Sequence, residues 1–130
     1  MYKLILFNIK NLDEFLSLED LEETFQEIKN KNYIIDFLSR EKNIDNIKSK
    51  LNIDSIYDKN KSIWVSLLER CKELNINLKE VVYFTDNEQE LENIPKFEII
   101  ISFKDSPDKV VNLTTAIVKK DSFSDILFYL

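Results

Sequence analysis

The sequence predicts an α/β domain with a doubly wound, mostly parallel sheet and helices on both faces. Three observations carry that prediction. Short, near-continuous apolar runs recur along the chain, as expected of strands buried on both faces. Stretches with apolar residues at helical spacing separate them. Strand and helix signals alternate almost throughout, and right-handed crossovers then wind the sheet in the Rossmann-like manner. At 130 residues, with 44% hydrophobic and 32% charged side chains, the chain has the size and composition of one domain, 1–130. It contains no linker, repeat or low-complexity segment.

The elements follow in order. Leu4, Ile5, Leu6 and Phe7 form the first strand. Ser17 is the expected N-cap of the first helix, with Asp20 completing a capping box and Leu18, Leu21, Phe25 and Ile28 forming the apolar stripe. Residues 33–38 make the second strand, Ile44, Ile47 and Leu51 a short helix, and residues 53–57 a third, weaker strand. The longest helix is expected over 61–74, where Ile63, Trp64, Leu67, Leu68, Cys71 and Leu74 share one broad face, with Trp64 in the core. Strands over 81–84 and 97–103 flank a short helix marked by Leu91 and Ile94. Pro107 opens a brief helix, residues 116–118 form the sixth strand, and a helix over 122–130 closes the chain.

Composition excludes whole classes of chemistry. There is no Gly, so no phosphate-cradling Walker or dinucleotide loop can be built, and Asn must take the left-handed backbone positions. There is no His, which removes Ser/His and Cys/His nucleophile pairs and imidazole metal ligands. The single cysteine, Cys71, falls on an apolar helix face and reads as a buried structural thiol in a reducing compartment. The opening run Met1–Leu6 is too short for a signal peptide and no run approaches a membrane span, so a cytoplasmic location is expected, with no membrane partner. A net charge of −6 argues against nucleic acid as a partner.

In a sheet of this kind, ligands bind beyond the carboxyl ends of the strands. The residues worth reading are therefore Asn8, Lys10 and Asn11 after the first strand, Ser39 and Arg40 after the second, and Lys59 and Lys61 after the third. Residues 85–90 follow the fourth, and Lys104, Asp105 and Ser106 the fifth.

These strand-plus-motif positions resemble the haloacid dehalogenase (HAD) phosphatases, whose order is strand-(D-x-D-G), strand-(T/S-G-R), a Lys before a long helix, then strand-(G-D-D-x-x-D). Residues 74–87 resemble the L-G-I-x-x-E-E-V-A-Y-I-G-D-D segment of the cap-less 3-deoxy-manno-octulosonate 8-phosphate phosphatase branch. Residues 103–110, with Pro107, are similar to its A-D-A-H-P-E-V segment. The resemblance runs from Leu4 to about Lys120 and implies a HAD-like fold without a cap domain.

The departures from that pattern fall on the reacting groups. The resemblance puts Asn8 at the nucleophilic Asp and Lys10 at the general acid/base, leaving an amide that cannot attack phosphorus and a cation that is a poor base. Ser39, Arg40 and Lys61 (or Lys59 in a slipped register) are the anion-binding candidates. In the last motif Thr85 replaces Gly, Asp86 keeps the first acid, Asn87 replaces the second and Glu90 stands for the final Asp. Asp86 is thus the residual metal candidate, and the Lys10 ammonium is expected to take the metal's place by pairing with it. No cofactor is expected, and magnesium only with residual activity. The branch's projecting hairpin, which builds its tetramer, is missing between residues 11 and 17, so that assembly is not implied.

Three functions follow. The first is a catalytically inactive phosphatase-like protein kept as a binding or structural module, whose partner is a protein or a phosphorylated small molecule. The second is a weak or altered magnesium-dependent sugar-phosphate phosphatase relying on Asp86. The third is an acidic immunity- or inhibitor-type protein that presents Glu19, Glu22 and Glu23 to a basic partner.

Overall fold

The first strand in sequence is the central strand in space. In the computed structural model, which describes residues 2–40 and 44–130, β1 (Leu4–Asn8) pairs in parallel with β2 (Ile34–Leu38) on one edge and β4 (Val81–Thr85) on the other. Met1, the first residue of the apolar opening run, lies outside the described residues. The two-residue β3 (Ser55–Ile56) extends the sheet beyond β2, while β5 (Ile99–Phe103) and β6 (Ala116–Val118) extend it beyond β4. The order is β3-β2-β1-β4-β5-β6, with every pairing parallel. This is the doubly wound sheet that the alternation predicts.

Alternation of side chains across the sheet divides the core in two. Ile5, Phe7, Ile35, Phe37, Phe84, Ile101 and Phe103 face one way and meet α1 (Leu12–Leu16), α2 (Leu21–Asn30) and the C-terminal 3₁₀ stretch Lys120–Tyr129. Phe7 lies at the middle of this layer, its ring centroid 5.0–5.9 Å from those of Phe15, Phe25, Phe37 and Phe84. Aromatic pairs at these separations add roughly 0.5–1.5 kcal/mol each beyond the area they bury. On the opposite face Leu4, Leu6, Leu38, Val81 and Tyr83 pack against Ile63, Leu67 and Cys71 of α3 (Ile63–Leu74). Cys71 is a buried free thiol whose pKa is raised by burial. Trp64 packs its ring on Tyr83 and Phe97, in agreement with a core role.

Local structure departs from the sequence expectations at four places. Leu12 and Phe15 turn inward one helical turn apart, so residues 12–16 form α1, and Ser17 ends that helix by donating to the Glu14 carbonyl. Asp20 then occupies the N-cap position of α2, but its carboxylate accepts from the Ser124 backbone N–H at 2.8 Å. The helix expected around Leu91 and Ile94 does not form; Asn93 is left-handed at φ 58° and Pro95 follows it. The closing segment is 3₁₀ rather than α, with a kink at Ser122. Pro107 opens the short α4 (Asp108–Val111) as expected.

All four described residues with positive φ are asparagines: Asn32, Asn52, Asn75 and Asn93. Asn75 ends α3 in the left-handed conformation, and Ile76 N–H reaches back to the Cys71 carbonyl. Asn tolerates this region because its short polar side chain can bond locally.

Among the described residues, one charged side chain lies fully within the core. Asp36, fully buried on β2, accepts from Tyr57 Oη at 2.8 Å, from Arg70 Nε at 2.9 Å and from Arg70 Nη2 at 3.3 Å. Burial pushes its carboxyl pKa up, and both partners oppose that shift. The triad ties α3 to the edge of the sheet where β3 contributes only two residues. Asp36→Ala should cost about 3–5 kcal/mol in urea unfolding, because it leaves a part-buried guanidinium without its buried partner. Asn75→Ala should cost about 1–2 kcal/mol in the same assay, while Asn75→Gly should cost nothing.

Candidate functional site

The carboxyl ends of β1, β2, β4, β5 and β6 lie along one rim of the sheet and bring most of the sequence candidates together. The register places Asn8 between Leu38 and Thr85. Only 1% of Asn8 is exposed, and its amide Nδ2 donates to the Tyr83 hydroxyl at 3.0 Å. Position 83 pairs with Leu6, so its side chain shares a face with Asn8 and the long phenol reaches up the strand to it. Burial pushes the Tyr83 pKa up to about 12, so the phenol stays neutral and serves as a fixed partner. Tyr83 was not singled out in the sequence; its parity with Asn8 was the available signal.

Asp86 begins the loop after β4, and its Oδ1 accepts from the Lys10 main-chain N–H at 2.7 Å. The Asn11 N–H also stabilises this carboxylate. The expected pairing of the Lys10 ammonium with Asp86 does not occur. The chain leaving β1 turns its backbone amides toward Asp86, and Lys10 is exposed. Lys120, just past β6, supplies the cationic field at Asp86 instead. Its ammonium pairs with Glu14 of α1 and, at 3.0 Å, with Asp105, and it lies 5.5 Å from the Phe103 ring centroid. Lys120 lies far along the chain from both the first motif and Asp86, so proximity in sequence gives no signal for it.

Burial raises the Asp86 pKa above its ordinary 3.8, while the backbone amides and Lys120 pull the other way. The folded protein therefore holds this proton more tightly than the unfolded chain does. Stability from this group is present at low pH and falls as pH rises from the ordinary carboxylate range through the folded value.

The anion-binding candidates are already engaged. Arg40 pairs with the Glu90 carboxylate and donates to the Lys59 carbonyl, linking the loops after β2, β3 and β4. Lys61 pairs with Glu69 of α3 at 2.8 Å, on the exposed side of that helix. Ser39 is buried at the end of β2. The loop after β4 is built by short polar turns, with Asn87 N–H on Thr85 Oγ1 and Gln89 N–H on Asn87 Oδ1, both at 3.0 Å. Thr85 and Asn87 thus shape the loop that carries Glu90.

These groups do not fit magnesium. An octahedral cage needs several oxygen ligands, and carboxylates supply the charge. Here a buried amide is committed to a phenol, a lysine stands two residues on, and the remaining carboxylate accepts backbone N–H groups. Among the described residues, no group of three or more His, Cys, Asp or Glu is placed to hold a metal ion.

No protein-family model matches the sequence, and no curated protein matches it significantly. Solved structures match it well, and they give the chain the HAD-like phosphatase fold. The cobalt-bound deoxy-D-mannose-octulosonate 8-phosphate phosphatase of Haemophilus influenzae is similar at TM-score 0.79 and 12% identity, covering 98% of this chain and 88% of that one. The 3-deoxy-D-manno-octulosonate 8-phosphate phosphatase of Moraxella catarrhalis, in complex with magnesium, phosphate and KDO, is similar at TM-score 0.72 and 15% identity. That match covers 90% of this chain and 76% of the other. A substrate-bound phosphoserine phosphatase is similar at TM-score 0.75 and 19% identity, covering 100% and 99%. At these identities the likeness is one of fold. The described residues between β1 and α2 form α1 and no hairpin.

Replacing Lys120 removes the cation that opposes the Asp86 shift. In Lys120→Met, a pH titration of the Asp86 carboxyl carbon by NMR should place its pKa above the wild-type value. Its neutral-pH stability should fall as well, because Glu14 and Asp105 lose their shared partner.

Proposed function

We propose that this protein is a non-catalytic module on a phosphatase fold, kept for binding rather than for phosphoryl transfer. The observation that carries this reading is the burial of Asn8 with its amide on the Tyr83 hydroxyl. Covalent phosphoryl transfer needs a carboxylate facing the substrate. An amide has no anionic oxygen to offer, and the N–H of this one is taken by the Tyr83 hydroxyl. The Arg40–Glu90 pair supports the same reading, since a protein carboxylate holds the guanidinium that would otherwise meet a phosphate.

The similar Moraxella phosphatase structure is a complex with a magnesium ion, a phosphate ion and KDO. By analogy, the ligand class at this rim is a small phosphorylated anion that competes with Glu90 for Arg40. A protein that docks elsewhere on the fold is the other partner class. The exposed acidic residues Glu22, Glu23 and Glu27 read as the solvated outer face of α2, with Glu19 exposed just before it and Glu22 paired to Lys50 at 3.6 Å.

The test is turnover of p-nitrophenyl phosphate with magnesium. Wild-type protein should give none above buffer, and turnover gained by the double substitution Asn8→Asp, Lys10→Asp would show that restoring the two carboxylates is enough. Wild-type turnover that vanishes in Asp86→Ala would overturn the reading in favour of a weak magnesium-dependent phosphatase.

A further inference from the structure

A groove lies at the opposite end of the sheet from the strand-end rim. The helix α3 runs back against the strands, so its C-terminal half sits near their amino ends. There Leu68, Cys71, Ile76 and Leu78 line an open depression of about 660 Å³. Lys72, Lys79 and Lys96 stand at its margin, and no carboxylate lines it. None of these three ammonium groups takes part in an ion pair among the described residues. In a chain of net charge −6 this is a local reversal of sign on an apolar floor.

The apolar surface continues along the helix. Leu68 is 53% exposed and Val65 46% exposed, one turn apart on the outer side of α3. From Val65 to Leu74 the helix covers about 14 Å, between two and three turns. A small acyl ligand would leave much of itself in water in so open a depression, whereas ligand sites normally bury most of their occupant. An anionic bilayer presents a broad plane to a protein that is acidic overall. The shape and the charge fit an amphipathic helix, laid lengthwise with its apolar side down and its acidic flanks toward the lysines.

We propose that this groove docks an acidic amphipathic helix of a partner protein through Leu68, Ile76 and Leu78, with Lys72, Lys79 and Lys96 pairing its carboxylates. The site is independent of the strand-end chemistry and stands whether or not the rim turns over phosphate esters. Its lysines set orientation and association rate, and its apolar floor provides the contact area.

The probe is a synthetic helix of roughly 16 residues with leucines at positions i, i+3, i+4 and i+7 and glutamates on the flanks. A matching peptide with lysines on the flanks is the control. Titration of the full-length protein, followed by methyl NMR, should show shifts at Leu68, Ile76 and Leu78 with the glutamate peptide only. Leu68→Glu should weaken binding at least roughly tenfold, a change of about one hot-spot contact. The substitution lies on an exposed position, and circular dichroism checks that the fold is kept. Lys72→Glu, Lys79→Glu, Lys96→Glu together should transfer the preference to the lysine peptide. Equal binding of both peptides, shifts confined to another surface, or no binding of the glutamate peptide would overturn the proposal. So would concentration-dependent self-association abolished by Leu68→Glu, or Leu68-dependent sedimentation with phosphatidylglycerol vesicles in place of peptide binding.

Discussion

Pairing of β1 on both edges is the constraint from which the rest of the structure follows. Parallel ladders to β2 and β4 fix every residue from Leu4 to Asn8 in register. Phe7 then projects into the layer of aromatic rings under α1 and α2, and its neighbour Asn8 must project to the α3 side. Shifting the register by one residue would exchange the two, placing an amide among the six other phenylalanines of that layer. The rings thus hold Asn8 where it is. Its choice of partner is similarly limited, since Tyr83 rises toward it from the same face of β4.

Several charges of the rim above this strand are paired within the protein. Asp86 takes backbone amides from the loop after β1; Lys120 joins Glu14 and Asp105; Arg40 joins Glu90. Each link crosses between loops that follow different strands, so together they brace the rim laterally. Sites that transfer phosphoryl groups work by presenting charge to a metal and a substrate phosphate. Charges that are already paired bind an incoming ion less strongly, because the existing partner must first be displaced.

Much of this architecture was legible in the sequence, since it rests on periodicity. The buried strands read as apolar runs, α3 as an apolar stripe, and the absence of Gly correctly directed attention to Asn at left-handed positions. What escaped was short or non-local. Helix α1 has five residues, too few for a periodic signal, and Ser17 closes it while looking like the start of the next helix. Leu91 and Ile94 have helical spacing, but Asn93 and Pro95 make the backbone incompatible with it. At the site, the positions of Asn8 and Asp86 followed from strand ends alone. The cation near Asp86 did not, because Lys120 is distant in sequence and reaches the rim with its ammonium over the Phe103 ring. Lys10 was the natural guess from proximity, yet the turn after β1 offers its N–H and leaves its side chain in water.

The central claim is that the last side chain of β1 is a buried structural amide. NMR of the Asn8 side-chain amide, in wild type and in Tyr83→Phe, tests it most directly. The account predicts slow exchange of those protons with water, a resonance displaced by Tyr83→Phe, and no response to magnesium with phosphate. Exchange at the rate of an exposed amide, indifference to Tyr83→Phe and a shift on adding magnesium with phosphate would contradict it.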